Sequence, residues 1–563
     1  MVDFAHDRYL SHDELGSWLH ETIAKTPHLA TLSTIGMSRR GRSIWCVSIT
    51  NTETGAADSK SAFHIDANNH GEEVITSAVA LYTIDRLLHG YGLDPEITEL
   101  LDTRTIYVIP RLNPDGAELC LTTPYRTVGN GRYLPNEEYI TGLHPEDIDG
   151  DGRILQMLVP DAKGEWRRSN EDARILVQRE PGESGKGLYY RLLPEGFFRD
   201  WDGFTYPIEK PRHGNLNRQF PAFWSPEYGE YGAGELPLVE PEAAALAKFV
   251  LDHPNIAGIQ AYHSHGAIIL RPSSNLPDDE LDIDDLDTFK TIGAVGTHLT
   301  GYPVLSTYES FTPNKHNPRH GGFTEWCYQH LGLIAFTSEL WNVEQEIGKA
   351  TGRFFEDVAQ AKETQLALLE WAKENAPKAF VSWTPYQHPQ LGEVFVGGWD
   401  DFHIYRNPPP KLIPIVAEPN MRFTIRHALS SPRVVIDHFD AEHIEGGIYR
   451  LRAVISNEGY LPTHITQHAL TIGVADRVTA HLELPSNAKL VSGDAVTCVG
   501  HLAGRNTRRG SYDPWRRPWG EPTRIITWVV QFNGTPEPIK LDAKAAKAGT
   551  AMAFVRPKPT RRK

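Results

Sequence analysis

The sequence predicts an α/β fold with a mixed, mostly parallel twisted sheet flanked by helices, followed by an all-β sandwich-like domain. Over the first two thirds of the chain, strand-like apolar runs alternate with helical segments, as in "SAFHIDANNH" before "EEVITSAVALYTIDRLLHG". Such alternation is typical of a sheet with helices on both faces. Further on, in "GIYRLRAVISNEGYLPTHITQHALTIGVADRVTAHLEL", apolar and polar residues alternate in short runs separated by turn signals, which favours a sandwich.

The domain boundaries follow from these changes of pattern. Residues 1–376 form the predicted α/β domain, residues 377–400 a Gly/Pro-rich connector, and residues 401–563 the β-sandwich-like domain. The last of these ends in the basic tail "RPKPTRRK". Residues 120–215 are rich in Gly, Pro, Asp and aromatic residues and have weak periodicity, so we expect an irregular insertion there rather than a separate domain.

Composition and charge exclude several classes of partner. The chain has 563 residues, of which 40% are apolar and 23% charged, as in ordinary globular proteins. Its net charge of -16 argues against a nucleic acid or an anionic membrane as partner. We see neither a signal peptide nor an apolar stretch of about 18 residues. The expectation is a cytoplasmic protein.

Polar clusters follow several predicted strands, where ligands gather in open α/β sheets. The clusters are His70 with Glu73, residues 113–116, His263 with His265, and Glu339. His70, Glu73 and His263 offer two imidazoles and a carboxylate, a donor set that catalytic zinc uses while one position stays open for water. Glu339, at the end of an apolar strand, is the candidate carboxylate to take a proton from that water.

Over about residues 8–375 the chain resembles the zinc carboxypeptidase (carboxypeptidase A-like, funnelin) family. The motifs occur in the family's order: "HGEE", "NPDG", "LNR", "YHSHG", "GGFTEW" and "SELW". The resemblance implies one Zn²⁺ per chain, held by His70, Glu73 and His263, with Glu339 as the general base. It also implies a metallopeptidase that hydrolyses the C-terminal peptide bond of a peptide with a free carboxylate.

The same resemblance implies the residues that bind substrate. Asn217 and Arg218 would hold the terminal carboxylate, and Thr324 stands where the terminal side chain is usually read. The arginine that polarises the scissile carbonyl has more than one candidate. Arg126 fits the spacing after "NPDG" best, and Arg132 and Arg167 are alternatives.

Two positions depart from the family's pattern. Glu72 stands inside "HGEE" where an arginine is usual, which removes a positive charge near the outer substrate subsites. No tyrosine stands in "HNPRHGG", where the family's tyrosine would close over the substrate.

Within the insertion, "DIDGDGR" has the spacing of a calcium loop. Asp147, Asp149 and Asp151 occupy its first, third and fifth positions and Gly152 the sixth. The twelfth position is Leu158, so the usual bidentate acid is missing. Bound Ca²⁺ and a plain acidic turn both fit this pattern.

Two other functions compete with the peptidase. The same zinc site could serve an amidohydrolase acting on N-acyl amino acids or cell-wall peptides, since the insertion and the missing tyrosine leave the substrate open. An inactive binding protein on the same fold is the third hypothesis. The retained metal ligands and Glu339 argue against it.

Overall fold

The computed structural model describes most of the chain. The described residues are 6–132, 141–183, 187–208, 214–230, 232–350, 361–507 and 520–558. Parts of the predicted insertion and the end of the basic tail lie outside these ranges.

The chain begins with one half of a central sheet. Its elements are α1 His12–Ile23, β1 Ala30–Met37, β2 Ser43–Ile49, β3 Ser61–Ala67, α2 Val74–Gly90, α3 Pro95–Thr103, β4 Arg104–Ile109 and α4 Pro114–Thr122. The strands β3 and β4 are buried along their whole length, as expected for parallel strands covered on both faces. The "NPDG" turn opens α4, because the Asn113 side chain accepts a hydrogen bond from the Gly116 N–H.

The second half of the central sheet follows the insertion. Its elements are α5 Pro241–Asp252, β11 Ile256–Ser264, β12 Ile268–Arg271, α6 Ile283–Thr300, β13 Val304–Ser306, α7 Thr307–Phe311, α8 Phe323–Leu331, β14 Ile334–Leu340, α9 Val343–Glu346 and α10 Lys362–Asn375. The insertion between the halves supplies β5 Gly142–Pro145, β6 Gln156–Pro160, β7 Trp166–Arg168, β8 Leu176–Gln178, β9 Tyr190–Pro194 and β10 Gly196–Arg199.

The eight described strands of the central sheet have the order β1-β2-β4-β3-β11-β14-β12-β13. The four central strands β4, β3, β11 and β14 run parallel, and antiparallel pairs lie on either side. The predicted mixed, mostly parallel sheet is confirmed. The carboxyl ends of β3, β11 and β14 therefore meet at one edge of the sheet.

The segment predicted as a connector is instead part of a sheet. Residues 377–400 contain β15 Phe380–His388 and β16 Gly392–Trp399. These strands extend the insertion's own sheet, which has the order β15-β16-β6-β9-β7-β8. Alternation in "GEVFVGGW" provides the apolar face that this pairing buries, with Val394 and Val396 in a shared core. The insertion is thus more regular than its composition indicated.

The region predicted to open the sandwich also differs. Residues 413–429 form a helix, α11 Ile413–Leu429, which packs into the same hydrophobic core as α2 and α6. Its buried residues Met421 and Phe423 explain this location, since the long apolar stripe needs a partner surface. The α/β unit therefore extends to about residue 430.

The described residues of the all-β region form two packed four-stranded sheets, and the predicted sandwich-like arrangement is confirmed. Its elements are β17 Val434–Glu445, β18 Ile448–Asn457, α12 Gln467–Thr471, β19 Val478–Glu483, β20 Ala488–Ser492, β21 Val496–Gly500, β22 Thr523–Phe532, β23 Ile539–Ala545 and β24 Gly549–Val555. The sheets have the orders β17-β18-β22-β20 and β21-β19-β23-β24 and share one apolar core. This unit contacts the α/β unit, where the buried Asp285 accepts hydrogen bonds from the N–H groups of Gln467 and His468.

Among the described residues, no helix has the length and apolar character that crossing a membrane requires.

Candidate metal centre and substrate site

Two neighbouring strands place the three predicted metal ligands. His70 and Glu73 lie in the turn between β3 and α2, and His263 lies near the end of β11. Because β3 and β11 are parallel and paired, with Ala67 opposite Tyr262, the turn and His263 share one edge of the sheet. Local connection geometry therefore brings together residues that are far apart in sequence.

Gly71 lets the ligand turn approach its neighbours. A Cβ at this position would lie 2.7 Å from the main chain of Gly116 and 2.9 Å from the Thr127 carbonyl oxygen. The Gly71 N–H donates to the Val128 carbonyl at 3.0 Å, which ties the turn to the segment after α4. A glycine is required there because no side chain fits, and this close contact fixes the turn that carries His70 and Glu73.

The ligand atoms converge on one point. Glu73 Oε1 lies 2.8 Å from His70 Nδ1, and Glu73 Oε2 lies 3.2 Å from His263 Nδ1. The two Nδ1 atoms are 3.4 Å apart. A tetrahedral zinc ion with bonds of 2.0–2.1 Å needs ligand atoms separated by roughly 3.3 Å. The two imidazoles and the carboxylate therefore fit Zn²⁺ in chemistry and in spacing.

The close spacing of these groups shifts their pKa values. Burial opposes ionisation of Glu73, but the charges of His70 and His263 outweigh it and lower the pKa of this carboxyl group. Burial likewise favours the neutral ring of His263, yet the carboxylate of Glu73 raises the pKa of His263 to about 9. The carboxylate of Glu73 thus favours a protonated imidazole at His263. A bound metal ion would take the place of that proton, because a histidine ligand must be neutral.

Glu339 lies beside this cluster. It is the register partner of His263 on the adjacent parallel strand β14, so the two side chains project to the same face of the sheet. Burial raises the pKa of Glu339 to about 8, against the opposing charges of His263, Arg406 and Arg218. A carboxyl group with its pKa near neutrality is suited to exchange protons.

The predicted substrate residues form a second group near Glu339. The Asn217 side-chain oxygen accepts a hydrogen bond from the Phe323 N–H at 2.9 Å, which joins the "LNR" turn to the start of α8. Arg218 pairs with Glu230 through Nε at 2.9 Å. The Thr324 hydroxyl lies 3.2 Å from that of Thr337, two residues before Glu339 on β14. These contacts tie the "LNR" turn to the start of α8, and Thr324 to β14, the strand that carries Glu339.

Asn215 is a site residue that the sequence reading missed. Its Oδ1 lies 3.2 Å from His70 Nε2 and also accepts a hydrogen bond from the Asn217 N–H. It orients the imidazole of a metal ligand and holds the "LNR" turn at once. Its signal in the sequence is an asparagine two residues before Asn217 in "HGNLNR", outside the "LNR" motif itself.

The three candidate arginines are engaged with other partners. Arg126 Nη1 donates to the carbonyl oxygens of Cys120, Thr123 and Tyr125 at 2.9–3.0 Å. Arg132 pairs with Glu240 at 3.1 Å, and Arg167 with Glu183 at 3.3 Å. None of the three is among the charges that act most strongly on Glu339. The catalytic role of Arg126 stays a prediction.

The acidic loop forms a second cluster of oxygen ligands. One carboxylate oxygen from each of Asp147, Asp149 and Asp151 lies within 4.8 Å of the others. Asp147 also accepts hydrogen bonds from the N–H groups of Gly150 and Gly152, which close the loop. Leu158 is buried in β6 and provides no ligand. Binding of Ca²⁺ stays a prediction.

Comparison with known proteins assigns the family. A family model described as "Zinc carboxypeptidase" matches residues 15–364. The match covers more than half of the chain, and the chain therefore belongs to the zinc carboxypeptidase family. A second model, described as a domain of unknown function, matches residues 433–556, the two-sheet unit.

The relatives include animal carboxypeptidases. Carboxypeptidase M of Mus musculus is 33% identical over 208 residues, which are 35% of this chain and 46% of that protein. Carboxypeptidase A1 of Sus scrofa is 24% identical over 381 residues, 65% of this chain and 70% of that protein. A crystal structure of thrombin activatable fibrinolysis inhibitor gives a TM-score of 0.44 at 16% identity, covering 76% of this chain and 75% of that chain. The matches to carboxypeptidase M and to carboxypeptidase D of Rattus norvegicus span 46% and 11% of those proteins.

Proposed function

We propose that this protein is a zinc-dependent metallocarboxypeptidase that hydrolyses the C-terminal peptide bond of a peptide substrate. One observation carries the proposal. The ligand atoms of His70, Glu73 and His263 lie within 4.8 Å of one another, and Glu339 is the register partner of His263. The arrangement combines three residues that have the chemistry and spacing of zinc ligands with an adjacent carboxylate.

Metal binding and proton transfer are assigned to different residues of the site. His70, Glu73 and His263 would hold Zn²⁺, which would supply a Lewis acid that lowers the pKa of a water molecule to about 7. Glu339 accepts a proton from that water as the water attacks the carbonyl carbon. It then donates the proton to the departing amine, so that one carboxylate serves as base and as acid.

Arg218 and Asn217 position the substrate. A guanidinium group presents paired N–H donors to a carboxylate, which favours a peptide with a free C-terminus. Glu230 and the Asn217 carbonyl hold Arg218 through Nε and Nη1, at 2.9 and 2.7 Å. Anchoring the terminal carboxylate sets the last peptide bond over the metal cluster, which is a gain in orientation.

Metal analysis combined with a peptide digest tests this proposal. Purified protein should contain about one Zn²⁺ per chain, as the three-ligand site requires. It should shorten members of a peptide library by single C-terminal residues, read by mass spectrometry. Removal of the metal with a chelator should stop the reaction, and added Zn²⁺ should restore it. C-terminally amidated peptides are the matched controls and should remain intact.

Two results would contradict the proposal. Zinc-loaded protein that leaves the whole library uncleaved would overturn the activity, and internal cleavage would overturn the role of the terminal carboxylate. The library should include N-acyl amino acids, because their exclusive cleavage would indicate the amidohydrolase instead. A cytoplasmic location also stays a prediction, which cell fractionation tests.

A further inference from the structure

A short segment beyond the family-matched region is fastened to every element that carries the metal centre. Residues 404–407 make a hydrogen bond to each of three catalytic segments. The bonds are Trp341 Nε1 to the Ile404 carbonyl at 2.8 Å, Ser264 Oγ to the Arg406 carbonyl at 2.8 Å, and Asn407 Nδ2 to the Glu72 carbonyl at 2.9 Å. Trp341, Ser264 and Glu72 lie within two residues of Glu339, His263 and Glu73 respectively.

Burial shows that this contact is a permanent part of the fold. Ile404 and Asn407 are fully buried, at 0% exposure. The Asn407 side-chain oxygen also accepts a hydrogen bond from the Ile75 N–H in the first turn of α2, at 2.9 Å. An asparagine that uses both its donor and its acceptor in this way fixes the segment against the ligand turn. Residues 404–407 therefore form a wall packed against the segments that carry His263, Glu73 and Glu339.

Arg406 is the charged residue of this wall. Its Nε lies 3.1 Å from Glu72 Oε1, and 40% of its side chain remains exposed. Burial lowers the pKa of Arg406, but the carboxylates of Glu72, Glu73 and Glu339 outweigh it and raise this pKa. The guanidinium is thus held by Glu72, one residue from the ligand Glu73, while part of the side chain still reaches solvent.

A cavity supports access to Arg406. Arg406 lines a cavity of about 260 Å³ together with Trp399, Tyr405 and His265, which lies two residues after the ligand His263. Arg126, in contrast, packs over the Phe402 ring at 4.2 Å, and its Nη1 is bonded to main-chain carbonyls. Arg126 and Arg406 both line a second cavity of about 230 Å³ that Glu72 also borders. Of the two arginines, it is Arg406 that pairs with the Glu72 carboxylate, at 3.1 Å.

We propose that Arg406 is the arginine that binds the carbonyl oxygen of the scissile peptide bond and stabilises the negative charge that develops on it. This inference rests on the proposed function. In the reaction, water forms a C–O bond to the carbonyl carbon, the C–N bond breaks, and Glu339 carries the proton from water to the amine. Arg406 transfers no proton, because its fixed charge and N–H donors act on the oxygen alone. Glu72 is then a positioning residue that aims the guanidinium.

Kinetics of three variants test the assignment. Arg406→Met should lower kcat by about 100-fold, with KM nearly unchanged, because loss of one donor to a developing oxyanion has that effect. Arg433→Met is the matched control, since Arg433 pairs with Glu458 at 3.1 Å and is 43% exposed. It should retain wild-type kcat. Arg126→Met decides between the two arginines: a large loss of kcat there with none in Arg406→Met would overturn the proposal.

Binding supplies a readout that does not depend on turnover. A phosphinate analogue of a cleaved peptide carries a tetrahedral anion at the position of the last peptide bond. Calorimetry should show that Arg406→Met weakens this analogue by about 100-fold and the unmodified product peptide by less than about threefold. Zinc content and Tm should match the wild type. Equal losses for both ligands would indicate a general binding or structural role and would overturn the proposal.

The experiment separates this inference from the proposed function. If the wild-type protein binds zinc and releases C-terminal residues while Arg406→Met does so equally well, only the role of Arg406 fails. If the wild type shows no zinc-dependent cleavage of any peptide, the proposed function itself fails. Arg406→Lys is a second variant that keeps the charge. Arg406→Lys should recover part of the lost kcat, because lysine keeps the positive charge. The recovery should be incomplete, because lysine lacks the paired N–H donors of arginine.

Discussion

Glu72 and Arg406 form an ion pair, with 3.1 Å between Oε1 and Nε, across the seam between the ligand turn and the segment that follows β16. The arginine expected within the "HGEE" motif is thus absent from the ligand turn, while a positive charge reaches the same place from a distant part of the chain. Oppositely charged partners that are both held by buried backbone contacts keep a defined geometry.

The pair predicts coupled effects of substitution. Glu72→Gln should lower kcat by about three- to tenfold, because the guanidinium loses the partner that orients it. In the double variant with Arg406→Met, the loss should equal that of Arg406→Met alone. A double-mutant cycle on kcat measures this coupling, and strictly additive losses would show that the two residues act independently.

Glu339→Gln should abolish turnover and leave the metal in place. The amide keeps the size of the side chain but cannot accept a proton from water, so we expect kcat to fall by at least about 10³-fold. Zinc content measured by atomic emission should equal that of the wild type, because Glu339 is not a ligand in the proposed site. A variant that loses zinc together with activity would place Glu339 in the coordination sphere instead.

Arg218→Gln should weaken recognition of the terminal carboxylate. Loss of a charged, paired hydrogen bond has a free-energy effect of about 1.5–3 kcal/mol, so kcat/KM for peptides with a free C-terminus should fall by about 10- to 100-fold. Arg191→Gln is the control, since Arg191 pairs with Asp161 at 3.0 Å and its side chain is 25% exposed. An identical loss in the control variant would attribute the effect to the fold rather than to substrate binding.

The acidic loop should respond to calcium. Three carboxylates within 4.8 Å repel one another when no cation is present, so millimolar Ca²⁺ should raise Tm by a few degrees, as expected when a ligand binds only the folded state. Asp149→Asn should reduce this shift. The same Tm with and without Ca²⁺ in the wild type would identify a plain acidic turn.

Asp285, which lies where the two units meet, should make the free energy of unfolding depend on pH. Burial raises the pKa of Asp285 to about 6, from 3.8 in a model side chain, although the Gln467 and His468 N–H groups lower it. Because the pKa of Asp285 is higher in the folded state, the protonated carboxyl group adds to the free energy of unfolding. This contribution is fully present below pH 3.8 and is lost as the pH rises through about 6. Between pH 5 and 8 the wild type should therefore lose about 1 kcal/mol more unfolding free energy than Asp285→Asn. Denaturant titrations at the two pH values measure the difference, and parallel losses would contradict it.

The residues of the candidate centre can be singled out from the sequence where their signals are local. His70 and Glu73 are three residues apart, and His263 and Glu339 end short apolar runs, so periodicity and motif order were sufficient to find them. Arg406 could not be found in this way. Its relation to Glu72 depends on a tertiary contact between distant segments, and residue 406 falls in a stretch whose pattern resembled the start of a β domain.

Contacts between distant segments also explain why the observed architecture differs from the predicted one. The glycines and prolines of 377–400 indicated a connector, but strand pairing with β6 is decided by a partner that lies far back in the sequence. The helix α11 Ile413–Leu429 has apolar residues that pack against α2 and α6, a preference that no local window contains. Propensity locates elements, whereas packing decides the unit to which they belong.

The shared sheet of the insertion and the β15–β16 hairpin has an evolutionary consequence. A chain ending near residue 376 would leave β6 with an open edge of unsatisfied backbone groups, prone to pair with other molecules. Recombination among relatives could exchange the terminal sandwich beyond about residue 430 as a module. The hairpin and the insertion, by contrast, must be inherited together, because each completes the backbone pairing of the other.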